Sequence, residues 1–304
     1  MNKTITYLHS CNAGDLIGAL AGVREIYRKF GKKAIIYQEL DVPGHYMPGL
    51  VHSVKDDQGT QVTMNKKMFD MAKPLLLAQE YVEDFLVYNG EKIEVDLNVI
   101  RESILSVEGK PSYIKAPEKF ANIPNGALPG WPMLAFPPMA CDISQPWIDT
   151  PGLTVNFQSY ILINRTERYL NKLMNYSFLK KYEKELLFTG TEREHFLFCK
   201  EFDLNFPRLG VDNFLELAEI MKMSLFFLGN QSFPWNLANA MGVPRIVEMF
   251  SQAPNCQPFV GKDNYGSYRP DHIEYYFDYL YNQKKLPPQV QLYKQTNKKV
   301  DPNY

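Results

Sequence analysis

The 304-residue sequence predicts an α/β fold with two open-sheet domains facing each other across a cleft. Three observations predict it. An apolar, β-branched run at Thr4 to His9 passes through a polar loop into an amphipathic helix ending near Phe30. The same strand, loop and helix order restarts after residue 160, and it is clearest over Leu225 to Pro244. The length suits two domains of roughly 150 residues, one over residues 1–153 and the other over 154–304, joined through a proline-rich stretch between Pro111 and Pro151.

The elements follow in order. Thr4 to His9 is the first strand, and Asp15 to Phe30 the first helix, with Leu16, Leu20, Val23 and Ile26 on one face and Arg24 and Arg28 on the other. Asp15 is its expected N-cap and Gly31 its stop. Lys33 to Gln38 gives a second strand, whose exit, Glu39 to Gly49, has the composition of a binding loop and carries His45. Residues 65–89 read as a helix and a short strand. In the second half the expected order is strand 160–163, helix 170–182, strand 185–188, helix 192–202, a helix 213–223 capped by Asp212, strand 225–228, a helix capped by Ser232 with Pro234 in its first turn, and strand 245–249. A last helix, 272–281, carries Tyr275, Tyr276, Tyr279 and Leu280 and is expected to return to the first domain.

Composition removes several classes of function. Thirty-three Lys and Arg against 34 Asp and Glu leave a net charge of -1, so no global field recruits nucleic acid. No apolar run approaches the length of a membrane span, and the first residues are too polar for a signal peptide, so a cytoplasmic protein without a transmembrane segment is expected. The four cysteines form no CxxC pair and read as reduced thiols, and no metal site is expected. Neither half shows G-x-G-x-x-G after a strand, which argues against a dehydrogenase.

Three loops carry chemistry. Asn12-Ala13-Gly14-Asp15 joins a glycine that admits close backbone approach to an acid that either caps the helix or acts outward as a base. Asn164-Arg165-Thr166-Glu167-Arg168-Tyr169 gathers guanidinium forks and a hydroxyl suited to phosphate oxygens, or forms a solvated turn paired through Glu167. Thr189-Gly190-Thr191 opens a helix whose first-turn acids Glu192 and Glu194 also complement its dipole. Around Asn230-Gln231-Ser232 the helix N-terminus offers unpaired N–H groups to an anion.

The wording of residues 4–37 and 160–250 resembles the heptosyltransferase-like enzymes of glycosyltransferase family 9. Gly14-Asp15-Leu16-Ile17 is similar to that family's first-strand exit, and Gly229 to Pro244 to its donor segment, usually Gly-Asn-Asp-Ser-Gly-Pro-x-His followed by a small-residue helix ending in Gly-x-Pro. The resemblance implies a metal-independent GT-B glycosyltransferase with two Rossmann-like domains and no cofactor, using a nucleotide-diphosphate sugar as donor and a glycan or other hydroxyl as acceptor. It implies Asp15 as general base and Asn12, Gly14 and His45 as acceptor contacts. Donor contacts would come from Asn164, Arg165, Thr166, Arg168, Thr189, Gly190, Thr191, Asn230, Gln231, Ser232 and Asn236. The sequence departs where the family's Asp, Gly and His stand here as Gln231, Phe233 and Asn236. An alternative follows from that departure: a GT-B protein with altered or lost transfer that binds a nucleotide or nucleotide sugar.

Overall fold

The computed structural model describes residues 3–44, 52–98, 144–150, 160–250 and 262–285. The expected domain boundary, His45 and most of the proline-rich stretch lie outside the described residues. The first half contains β1 (Thr4–His9), α1 (Ala13–Phe30), β2 (Lys33–Gln38), α2 (Lys66–Leu77), β3 (Val82–Val87) and β4 (Val95–Asp96). Its strands form a parallel sheet in the order β3-β2-β1-β4, with Thr4 opposite Lys33 and His9 opposite Gln38. Parallel neighbours need crossovers, and α1 supplies the first. Leu16, Ile17, Leu20, Val23 and Ile26 are buried along it, and Gly31 ends it at φ 63°.

The second half contains β5 (Ile161–Asn164), β6 (Leu186–Thr189), α3 (Glu192–Phe202), β7 (Arg208–Leu209), α4 (Phe214–Met223), β8 (Phe227–Asn230), α5 (Phe233–Ala240), β9 (Arg245–Glu248), β10 (Asn264–Ser267) and α6 (Pro270–Lys285). Its sheet is parallel in the order β10-β9-β8-β5-β6-β7. The chain runs outward from β5 through β6 to β7, then returns to the other side of β5 and runs outward again. The reversal falls between β5 and β8, where an open α/β sheet leaves a crevice at its carboxyl edge. The first sheet reverses likewise between β1 and β4.

The helices α1 and α2 pack against α5 and α4, so one apolar core passes through both halves. Trp147 pins the seam: its indole N–H donates to the Ile17 carbonyl at 2.8 Å, its backbone N–H to Ala240 at 2.8 Å, and its carbonyl accepts from the Tyr81 hydroxyl at 2.5 Å. A second core fills the far face of the larger sheet.

Several expected elements are corrected. The helix expected over 170–182 is an irregular loop followed by a 3-10 helix, Ser177–Glu185. The Asn171 and Asn175 side chains accept from the N–H groups of Leu173 and Ser177, and these local turns replace helical bonds. Asp15 is the third residue of α1, with Asn12 the N-cap, and Asn213 rather than Asp212 caps α4. The last helix does not return to the first half: Ile273, Phe277 and Leu280 of α6 are buried with Phe226, Leu228 and Ile246 on the second sheet. Its apolar stripe is satisfied there by Phe178, Tyr182 and Phe226, whose rings lie 4.9 to 5.3 Å from Phe277. Tyr275 stays 64% exposed. The strands β4, β7 and β10 were not expected; two have two residues each, and Asn264–Ser267 lacks an apolar run.

Candidate functional site

The exits of β5, β6 and β8 are tied by buried amides. Asn164, 2% exposed, donates from Nδ2 to the Thr189 carbonyl at 2.6 Å and accepts from Ser232 Oγ at 3.3 Å. Asn230, fully buried, accepts from the Thr166 N–H at 3.0 Å and donates to the carbonyls of Thr166 and Arg168 at 2.9 and 2.6 Å. Gln231 accepts from the Phe250 N–H at 2.6 Å. These side chains therefore build the crevice by fixing the loops around it. Ser232 is the N-cap of α5, as expected, but its hydroxyl turns back to Asn164 and the Asn230 carbonyl and makes no capping bond to the helix.

Gly190, Thr191 and Glu194, which follow β6, have structural duties. Thr191 caps α3 in a box with Glu194, whose Oε2 accepts from the Thr191 N–H at 2.8 Å. Burial first of all raises the Glu194 carboxyl above its ordinary range. Gly190 has φ 147°, and a Cβ there would come within 2.9 to 3.1 Å of Phe188, Glu194 and Asn164, so only glycine fits.

Arg165 and Arg168 part company. Arg165, expected on a diphosphate, is 6% exposed, and its guanidinium donates to Glu248 at 2.7 Å and Glu201 at 2.9 Å while lying over the rings of Tyr176 and Phe202. Glu248 is fully buried and also accepts from the Tyr176 hydroxyl at 2.9 Å and the Asn171 N–H at 2.6 Å. That network orders the loop, and its charge is already matched. Arg168 is half-buried at the crevice, 4.6 Å above the Tyr169 ring.

From the first half, Asp15 Oδ2 accepts from the backbone N–H and side-chain Nδ2 of Asn12, both at 3.2 Å. Gly14 brings this turn against the start of α5, since a Cβ there would lie 2.8 Å from Asn236 Nδ2 and 3.7 Å from Phe233 Cα. The carboxyl edges of β1 and β8 thus open side by side. His52, 8% exposed, accepts at Nδ1 from the Val54 N–H at 3.3 Å. Burial and then the charge of Arg168 push its imidazole down to about 4, against the opposing pull of Asp15. One acid from the first half and one cation from the second therefore act on the same buried ring.

Sequence reasoning missed His52, Glu248 and Phe250, and gave Tyr169, at the end of its second candidate loop, no role of its own. His52 follows the binding loop after β2, which was the available signal; the others acquire roles only through pairing across the sheet.

The architecture has solved counterparts. The structure of the E. coli heptosyltransferase WaaC with ADP superposes with a TM-score of 0.57 at 9% identity, over 91% of this chain and 99% of that one. WaaC with ADP-2-deoxy-2-fluoro heptose superposes with a TM-score of 0.50 at 9% identity, over 80% and 88%. The chain has the heptosyltransferase fold. No protein-family model and no curated protein matches the sequence. Within the heptosyltransferase fold, the loops carrying Asp15, Thr166, Arg168 and Ser232 all leave the carboxyl ends of strands beside a reversal of sheet order.

Proposed function

We propose that the protein is a glycosyltransferase that moves a sugar from a nucleotide-diphosphate donor to an acceptor hydroxyl. The observation that carries this reading is the meeting of the Gly14-Asp15 turn with the first turn of α5, which sets a carboxylate beside a helix N-terminus, while Asp15 and Arg168 both act on the His52 ring. The fold supports it, because its solved counterpart holds ADP. In this reading the diphosphate lies at the N-terminus of α5, where N–H groups left unbonded by the Ser232 side chain and the Arg168 guanidinium stabilise the leaving group. The Thr166 hydroxyl, which now donates to the Arg168 carbonyl at 3.2 Å, turns to a phosphate oxygen. Asp15 takes the proton of the acceptor hydroxyl as its oxygen attacks the anomeric carbon, and the nucleoside diphosphate departs. The acceptor approaches from the Asn12 and Gly14 side. No metal takes part in this scheme, and the leaving charge is met by protein cations and dipoles.

A second reading, a binder of nucleotide sugars without transfer, is favoured by the commitment of Arg165, Asn230 and Gln231 to internal bonds. The two readings separate in one screen. Melting temperatures with ADP, UDP and GDP and their sugar esters, followed by assay of released nucleoside diphosphate, give stabilisation with release for a transferase and stabilisation alone for a binder. No stabilisation by any of them contradicts both.

A further inference from the structure

Two aromatic side chains at the crevice have no part in this scheme. Tyr169 follows Arg168 and has φ 58°, a left-handed backbone that costs a tyrosine about 1 kcal/mol or more. Bonds on either side enforce it: Asn230 Nδ2 donates to the Arg168 carbonyl at 2.6 Å, and the Asn171 N–H donates to Glu248 Oε1 at 2.6 Å. The strain sets the Tyr169 ring against Phe250, with centroids 6.0 Å apart and planes 29° apart. The Phe250 N–H is held by Gln231 from the same β8 exit. Both side chains are half-buried, so part of the pair faces solvent.

Position identifies the occupant. A cavity of about 500 Å³ lies at the seam beside Trp147, remote from the strand exits, but a second of about 420 Å³ opens beside β5 and α3, lined by Thr166, Glu194, Leu197, Phe198 and Glu201. Phe250 follows β9, across β8 from that cavity, and Tyr169 follows Arg168, whose carbonyl is bonded to Asn230 at the β8 exit; Leu170, the next residue, reaches back to line the cavity. A nucleotide sugar has its diphosphate in the middle. Three strand spacings from β6 to β9 cover about 14 Å, close to the length of such a molecule. With the diphosphate at Arg168 and the nucleoside in the cavity, the sugar falls on the pair.

We propose that Tyr169 and Phe250 form the face on which the sugar ring of the donor packs, and so set sugar specificity; this rests on the nucleotide-sugar reading above. A pyranose has an apolar C–H face rimmed by hydroxyls, which suits an aromatic surface carrying a phenol at its edge.

Calorimetric titration of the full chain tests it, using ADP against ADP-glucose, UDP against UDP-glucose and GDP against GDP-mannose. The variants are Phe250→Ala and Tyr169→Gly, the latter removing the ring while suiting the left-handed backbone. Each is expected to weaken the bound nucleotide sugar about 3- to 10-fold and to leave the matching diphosphate within about 2-fold, with Phe250→Tyr restoring the loss. Equal losses for sugar ester and diphosphate, or no loss for either, overturn the assignment while leaving the nucleotide-sugar reading standing. A wild type that binds none of the six overturns that reading and this assignment together.

Discussion

His52, Arg165 and Arg168 show how much a residue's role depends on what surrounds it. His52 is neutral when buried, with its imidazole pushed down to about 4, whereas the unfolded chain takes a proton below about 6.5. Its contribution to stability is therefore complete above pH 6.5 and lost as pH falls toward 4, a loss of about 3 kcal/mol. Denaturant midpoints between pH 7 and 4 check this: His52→Gln is expected to flatten the slope, and an unchanged slope would exclude His52 as its source. The two arginines are expected to separate by readout. Arg165→Ala strands the fully buried Glu248 carboxylate and costs about 3–5 kcal/mol of stability. Arg168→Ala leaves folding nearly intact and weakens diphosphate binding by about 1.5–3 kcal/mol. Chemical denaturation beside ADP titration distinguishes the pair. A sequence shows two arginines in one loop; it does not show that Glu248, 83 residues away, claims the first.

At the scale of elements, α1 and the β1 exit were legible because local signals agree: an alternating strand, a helical stripe and a terminal glycine. The helix after β6 was legible for the same reason, its capping box lying within four residues. The loop 170–176 was misread because its periodicity suits a helix while Asn171 and Asn175 bond their own backbone, a competition that pattern counting does not weigh. The destination of α6 was misread because an amphipathic stripe says that it must be covered and not by which half. Gly14 is the junction of elements most open to test. A Cβ there collides with Asn236 Nδ2, so Gly14→Ala is expected to cost about 1–3 kcal/mol. Adding Asn236→Ala is expected to recover part of it, and a double-mutant cycle with no coupling would show that the two turns do not bear on each other.

At the scale of the molecule, two parallel sheets with their order reversed beside β1 and β5 are joined through a shared core, so that residues far apart in sequence meet at one edge. The first sheet brings an acid and the second a cation and a helix N-terminus, the division of labour that transfer between two substrates requires. The sequence contained every one of these residues, but which polar atoms would build the crevice and which would face a ligand depended on bonds between strands. In the proposed transfer Asp15 is the base. Asparagine at that position keeps an oxygen for the Asn12 bonds and removes the basicity. The decisive measurement is release of nucleoside diphosphate from the bound nucleotide sugar, with acceptor present, by wild type and Asp15→Asn. A fall of about 10²–10⁴-fold in turnover is expected, with donor affinity and melting temperature nearly unchanged; full turnover by Asp15→Asn would end the assignment of Asp15 as base.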